Sequence, residues 1–196
     1  MRNITFSILL GGSLFFSGCN SQIEEIRLLK PKNKPIYSAT GLVTEVDEIN
    51  QTLRINHEEI KGLMAEMEME FSFPKNSTVD SDIVGRMIDF TVEKKDDDHI
   101  VSNFRHSSEL NPRKKYLENC ARCHGEFGEG RLKGIPFTKG HALSHSEEEF
   151  IETVTNGKKK MPSFRDELSD REIKWIVRYV RRVLQRELTT TEKHIH

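Results

Sequence analysis

The stretch Cys120-Ala121-Arg122-Cys123-His124 decides how the C-terminal half of this 196-residue chain is interpreted. Two thiols spaced C-x-x-C can form thioethers with the vinyl groups of a haem, and the histidine that follows is placed to ligate the iron. Met161-Pro162, further along the chain, supplies a thioether for the opposite axial position. A histidine and methionine pair raises the reduction potential and fills both axial positions, so these residues predict electron transfer rather than catalysis.

Other uses of these residue types have to be weighed. A redox dithiol lacks the strand-then-helix setting of thioredoxin, and a structural zinc site lacks a second cysteine pair, because the chain has only three cysteines. His141 and His145 lie between the motif and Met161 and are alternative distal ligands, since imidazole binds haem iron well. Both stand in a polar turn that is typical of a surface, which favours Met161.

The N-terminus predicts export. A basic start is followed by an apolar run, Ile4 to Phe16, that has signal-peptide length and is too short for a confident membrane span. Ser17-Gly18-Cys19 resembles the lipobox of bacterial lipoproteins, which implies that Cys19 carries lipid and tethers the protein to a membrane on the periplasmic side of the bacterial envelope. An ordinary secretory signal with an incidental Cys19 is the alternative.

Composition favours two small domains and argues against a nucleic-acid partner. The chain is 35% hydrophobic and 31% charged, with a net charge of −1 and no basic patch interleaved with aromatics. The predicted fold class is an N-terminal all-β small barrel followed by a C-terminal all-α domain. The predicted boundaries are a signal peptide at 1–18, a tether at 19–38, the barrel at 39–107, a linker at 108–112, the helical domain at 113–188 and a polar tail at 189–196.

The first domain shows the alternation of β-strands. Apolar and polar residues alternate from Ala39 through a hairpin, and Met67 to Phe73 forms a third strand that Pro74 ends. A second hairpin is predicted from Arg86–Glu93 and Ile100–Phe104. About five strands in such a short stretch indicate a small closed barrel of the OB type.

The third strand places two thioethers on one side. Met67 and Met69 are at i and i+2, and together with His57 they form a soft, neutral ligand set that suits Cu(I) far better than zinc or magnesium. Glu68 and its neighbouring glutamates would face elsewhere. The alternative is that the methionines fill the core and that His57 is a surface residue.

A resemblance supports the copper interpretation. The stretches Ala39–Asp47, Ile55–Ile60 and Gly62–Phe71 resemble the CusF-like periplasmic copper-binding family. The resemblance implies an OB-fold barrel that holds Cu(I) or Ag(I) through His57, Met67 and Met69. Met64 falls near the place where some members carry a tryptophan over the ion, and its sulfur is a possible fourth donor. Where the family commonly has a proline-containing pair and a threonine, this chain has Ala65-Glu66 and Glu68.

The second domain resembles a small class I cytochrome c. A helix is predicted over Arg113–Ala121, a glycine-rich loop with freedom to wrap a flat macrocycle follows the motif, and the loop Asn156–Phe164 matches the one that presents the distal methionine. Two further helices are predicted to begin at capping boxes, Ser146 with Glu149 and Ser169 with Glu172. The resemblance implies covalent haem c on Cys120 and Cys123, axial ligands His124 and Met161, and packing roles for Trp175 and Tyr179.

Three functions remain open from the sequence. The protein is expected to be an electron carrier and metal-binding protein whose barrel delivers copper to a copper enzyme such as a terminal oxidase or nitrous-oxide reductase. Alternatively, the haem reduces Cu(II) so that the barrel can capture it. In the third, the barrel is only a docking module. Lys158, Lys159 and Lys160 form either a docking patch for an acidic redox partner or a solvated loop.

Overall fold

The computed structural model describes residues 35–75, 77–131 and 134–186. The predicted signal peptide, Cys19 and the polar tail 189–196 lie outside the described residues. Within the described ranges, no helix is both long and apolar enough to cross a membrane.

The first domain is a closed β-barrel, as predicted. The strand order is β1-β2-β3-β5-β4, and all neighbours are antiparallel except β3 and β5, which run parallel. Inward-facing side chains such as Leu53, Ile55 and Phe71 are completely buried and form its core. The strands are β1 Ile36–Asp47, β2 Thr52–His57, β3 Met67–Ser72, β4 Met87–Lys95 and β5 Asp98–His106.

Strand β1 begins earlier than its sequence indicates. Residues 36–38, assigned to the tether by sequence, pair with residues 91–93 of β4. Tyr37 packs against the barrel core while its neighbours Ile36 and Ser38 are exposed, so burial alternates here. The sequence does not show this, because the apolar Ile36 lies on the exposed face. The hairpin of β4 and β5 is likewise longer than predicted, because charged residues continue both strands up to a tight turn at Asp96.

The second domain is all-α, as predicted. Both capping boxes are present, with the hydroxyls of Ser146 and Ser169 accepting from the backbone N–H of Glu149 and Glu172. The first helix is shorter than predicted, because the chain leaves helical geometry at Cys120 (φ −114°) and starts a new turn. The helices are α1 Pro112–Asn119, α2 Ala121–His124, α3 Glu147–Asn156 and α4 Asp170–Tyr179, which continues as a π-helical turn over Val180–Leu184.

The barrel and the helical domain share a core. Leu42 and Met87 of the barrel belong to the same apolar cluster as Tyr179 and Val183 of the last helix. Leu42 and Val43 are consecutive in β1 and both fully buried, because the helix covers the outer face of the strand. The two domains therefore belong to one compact unit.

Candidate metal centres

The C-x-x-C-H motif forms one helical turn. Cys123 is exposed and Cys120 is half-buried. Burial, and secondly the neighbouring Cys123, raises the pKa of the Cys120 thiol to about 12. The pair is suited to attachment chemistry at this turn.

His124 is held as a neutral imidazole. Its Nδ1 lies 2.9 Å from the carbonyl oxygen of Ile135. A carbonyl can only accept, so Nδ1 carries the proton and Nε2 keeps its lone pair for a metal. Burial lowers the pKa of His124, and the Phe137 ring stacks on the imidazole with centroids 4.1 Å apart. These features fit the proximal ligand of a haem iron.

The loop after the motif folds back over it. The backbone N–H groups of Gly130 and Arg131 donate to the carbonyl oxygens of His124 and Cys123, each over 2.7 Å. A Cβ on Gly134 would lie 2.0 Å from the Cys123 oxygen, so only glycine fits there. The sequence predicted glycines that wrap a macrocycle, whereas Gly134 is required for the close approach of two backbone segments.

Met161 lies in a tight loop beside the same core. Lys158 and Met161 exchange backbone hydrogen bonds of 3.1 and 3.0 Å, and Met161 packs against the cluster that contains Phe137. Since Phe137 stacks on His124, the two predicted axial ligands border one core. Lys158, Lys159 and Lys160 are all exposed. The residues fit a covalent haem with one imidazole and one thioether ligand, and the assignment of Met161 stays a prediction.

The alternative distal histidines lie on the surface side of the domain. His141 is exposed and His145 is half-buried, and their ring centroids are 4.4 Å apart. His145 contacts the Glu149 carboxylate at 3.2 Å, and the Ser144 hydroxyl donates to the His141 carbonyl oxygen. Both imidazoles are thus engaged in local contacts within the polar turn.

Strand register brings the predicted copper ligands together. In the antiparallel pair of β2 and β3, His57 stands opposite Met67, and Ile55 stands opposite Met69. Directly opposite residues share a face of the sheet, and so do residues two apart in a strand. One imidazole and two thioethers therefore occupy one face.

His57 is prepared for a soft metal. Its side chain is 0% exposed, so it is not a surface residue. Its Nδ1 lies 2.7 Å from the Glu58 carbonyl oxygen, which leaves the lone pair on Nε2, and Nε2 is buried without a hydrogen-bond partner in the described structure. An unpaired buried nitrogen costs about 1–3 kcal/mol, a cost that a bound metal ion removes. Burial lowers the pKa of His57, which keeps the ring neutral.

The methionines differ in burial. Met69 packs against the barrel core, whereas Met67 is 47% exposed and is therefore not core filler. Met64 is half-buried, packs against the same core and exchanges backbone hydrogen bonds with Ile60, which closes the loop between β2 and β3. Among the described residues, no group of three or more His, Cys, Asp and Glu side chains is arranged to hold a metal ion.

The sequence predicted that the glutamates of β3 face away from the methionines, but it did not indicate what they contact. Glu68 accepts from the Thr44 hydroxyl over 2.7 Å and pairs with Arg182 of the last helix. Glu66, just before the strand, pairs with Lys174 and with Arg178, which lies one helical turn further along. Basic residues that recur every third or fourth position on α4 were the signal that could have revealed this contact.

The fold and the two sites define a copper-binding barrel joined to a c-type cytochrome, and two family matches cover these parts. Residues 36–105 match the family described as copper binding periplasmic protein CusF. Residues 108–180 match cytochrome c oxidase, cbb3-type, subunit III. Cytochrome c6 of Leptolyngbya boryana is 38% identical over 71 residues, which are 34% of this chain and 82% of that protein. The chain belongs to the c-type cytochromes and carries a CusF-type domain.

Solved structures are similar to each half. CusF of Escherichia coli with bound Ag(I) is 22% identical, covering 38% of this chain and 95% of that chain, with a TM-score of 0.34. The KustC0563 c-type cytochrome is 29% identical, covering 37% of this chain and 95% of that one, with a TM-score of 0.35. The family matches imply haem c and copper as cofactors, in a protein of a kind that is typically exported.

Proposed function

We infer that this protein is a lipid-anchored electron carrier of the bacterial envelope that captures Cu(I) in its barrel and delivers it to a copper enzyme. When bound, haem c supplies one-electron transfer and leaves the barrel ligands free for copper. The observation that carries the copper role is the buried, unpaired Nε2 of His57, a residue that stands opposite Met67 in the β2–β3 ladder.

The barrel residues favour Cu(I) over harder ions. Thioethers carry no proton, do not form disulfides and prefer soft ions, so Met67 and Met69 are suited to an oxidising compartment. The half-exposed Met67 gives the site an opening toward solvent, and so toward an acceptor protein. Delivery to a terminal oxidase or nitrous-oxide reductase fits this chemistry, because both enzymes need copper outside the cytoplasm.

The helical domain supplies a surface for redox partners. Lys158, Lys159 and Lys160 are exposed beside Met161, so a partner with an acidic surface would be steered toward the loop that holds the predicted distal ligand. Cys19 is proposed as the lipid attachment that keeps the protein at the membrane, where such partners lie.

An anaerobic Cu(I) competition titration of the haem-loaded protein tests the copper role. The test variant is Met67→Leu with Met69→Leu, which removes both sulfurs at nearly constant volume. We expect one tight site per chain in the wild type and at least about a hundredfold weaker binding in the variant, because two of three soft donors are lost.

The controls separate binding from folding. Met64→Leu tests the fourth donor, and circular dichroism checks that each barrel stays folded. Equal, weak Cu(I) binding by wild type and double variant would contradict the copper role. The barrel would then be a docking module, and the chain an electron-transfer cytochrome. Handover is measured separately, by mixing the copper-loaded protein with a copper-free acceptor enzyme.

A further inference from the structure

One face of the last helix carries a row of cations. The cations are spaced three or four residues apart, so they lie on a single helical stripe. Each of them pairs with a carboxylate of the barrel or of the segment next to it. This basic stripe consists of Arg171, Lys174, Arg178, Arg182 and Arg186, and its barrel partners are Glu58, Glu66, Glu68 and Glu45.

Two of these partners flank the predicted copper ligand Met67. Glu66 Oε1 lies 2.6 Å from Arg178 Nη2, and Glu68 Oε2 lies 3.0 Å from Arg182 Nη1. Arg178 and Glu68 are each 11% exposed, whereas their partners Glu66 and Arg182 are 34% and 41% exposed, so each ion pair is partly shielded from solvent. The outer face of the copper-binding strand is thus held by the haem domain.

Strand β3 is paired along its length on one side only, so contacts with the last helix can stabilise its position. Its six residues pair with β2 along their whole length, but among the described residues only Ser72 pairs on the other side, with Ile100 of β5. A strand held by one neighbour frays and slips more easily than a central strand. A slip by one residue would turn Met67 and Met69 to the outer face and the glutamates inward.

We propose that the basic stripe positions the copper-binding strand, so that Cu(I) binding in the barrel and docking of the haem domain are thermodynamically linked. Arg178 together with Lys174 holds Glu66, and Arg182 together with Arg186 holds Glu68. The alternation of the strand then presents the two methionines to His57. The inference rests on the proposed copper site and adds residues of the other domain to it.

Linkage works in both directions. If docking raises Cu(I) affinity by a given factor, Cu(I) must stabilise the docked arrangement by the same factor. Preorganised ligands bind more tightly because the cost of ordering them is already met by the fold. Glu68, which stands where the family that the barrel resembles commonly has a threonine, is one of the residues that contact the helix.

The test changes only the helix, so the copper-binding strand keeps its sequence. In haem-loaded protein, Arg178→Gln with Arg182→Gln is compared with Arg181→Gln. Arg181 lies on the same helix, but it donates to the His145 carbonyl oxygen and stacks on Phe150 within the haem domain. We expect the dissociation constant for Cu(I) to be about tenfold higher in the double variant and unchanged in the control.

A second readout follows the reciprocal effect. Cu(I) should slow amide hydrogen exchange in α4 of the wild type and should not do so in the double variant. If the double variant does not fold, Glu68→Gln serves in its place. Its matched control is Glu70→Gln on the same strand face, because Glu70 pairs with Arg54 of the barrel itself and not with the last helix.

The outcomes distinguish the linkage from the copper role. Equal Cu(I) affinity in the wild type, in the helix variant and in a variant that also carries Lys174→Gln and Arg186→Gln overturns the linkage and leaves copper binding intact. Absence of Cu(I) binding by the wild type overturns both. Replacement of both arginines by lysine should restore only part of the affinity, because each arginine bridges Glu147 as well as a barrel glutamate, which a single ammonium group does less well.

Discussion

The helical domain and the barrel present their metal ligands in different ways. In the helical domain, two thiols and an imidazole lie within five consecutive residues on one turn, Ala121–His124 with Cys120 before it. In the barrel, one predicted ligand lies on β2 and two lie on β3, and the register of His57 with Met67 brings them to one face. A site built within one turn tolerates distant changes, whereas a site built across strands depends on whatever holds the register.

Removal of the two thiols should have the largest effect, the loss of covalent haem, and this effect should be confined to the helical domain. Cys120→Ala with Cys123→Ala is expected to abolish covalent haem completely, because no thioether can form. Mass spectrometry of the denatured protein measures this directly. Cu(I) binding by the folded fraction should persist, since none of the barrel ligands is changed.

The matched control for this variant is Met161→His. It should keep the covalent haem and lower the reduction potential, because replacing a methionine ligand removes the donor that raises it. Retention of haem mass by the double cysteine variant would be evidence against the attachment assignment. An unchanged potential in Met161→His would point to His141 or His145 as the distal ligand.

Disruption of the core shared by the barrel and the helical domain should have an intermediate effect, and it should destabilise both domains. Gly85 has φ +83°, and a Cβ there would lie 2.6 Å from Cε2 of Tyr179 in the last helix. Gly85→Ala is expected to lower the free energy of unfolding by about 2–4 kcal/mol, from backbone strain and overpacking together. Urea unfolding of the haem-loaded protein measures the loss.

Gly62→Ala isolates the backbone part of that loss. Gly62 has φ +79°, but the nearest atom to its Cβ would be 3.8 Å away, on Tyr37. We expect it to cost only about 1 kcal/mol. Equal losses in both variants would mean that the barrel and the last helix do not press against each other at Gly85.

The smallest expected effect concerns the start of the last helix. Two hydrogen bonds lower the pKa of Glu172 to about 2: the larger effect comes from the Lys115 side chain and the smaller from the Ser169 backbone N–H. A lowered pKa in the fold stabilises the protein above the ordinary value near 4.5, and this contribution is lost as pH falls toward 2. Glu172→Gln should therefore cost about 0.5–1 kcal/mol at pH 7 and less at pH 3.

Glu149→Gln separates the local from the long-range part of this effect. Glu149 completes the capping box of α3, with Ser146 and His145 as its partners, all within one turn. Unfolding by urea at pH 7 and pH 3 should show a smaller change in Glu149→Gln. If both variants behave alike, the ion pair between Lys115 and Glu172 contributes nothing beyond the cap.

Local patterns in the sequence were enough wherever the structure depends on neighbouring residues. The two capping boxes predicted where α3 and α4 begin, because a capping box forms within four consecutive residues. Their residues are Ser146 with Glu149 and Ser169 with Glu172. Alternation predicted the barrel strands except at the end of β1. There the apolar Ile36 lies on the exposed face beside the polar Ser38, so hydrophobicity does not alternate along the sequence, and pairing with β4 reveals the strand.

The sequence by itself determined the two domain types, the haem-attachment motif and the kinds of atom available for copper. The tertiary structure alone decided which way each side chain faces and what lies behind it. It buried His57, left Met67 half-exposed and joined Glu66 and Glu68 to the last helix. The physical reason is range: a thiol pair or a helix cap is set by residues a few positions apart. By contrast, strand register pairs residues from different parts of the barrel sequence, such as Ile36 with Glu93. The ion pairs between the domains link residues 112 and 114 positions apart.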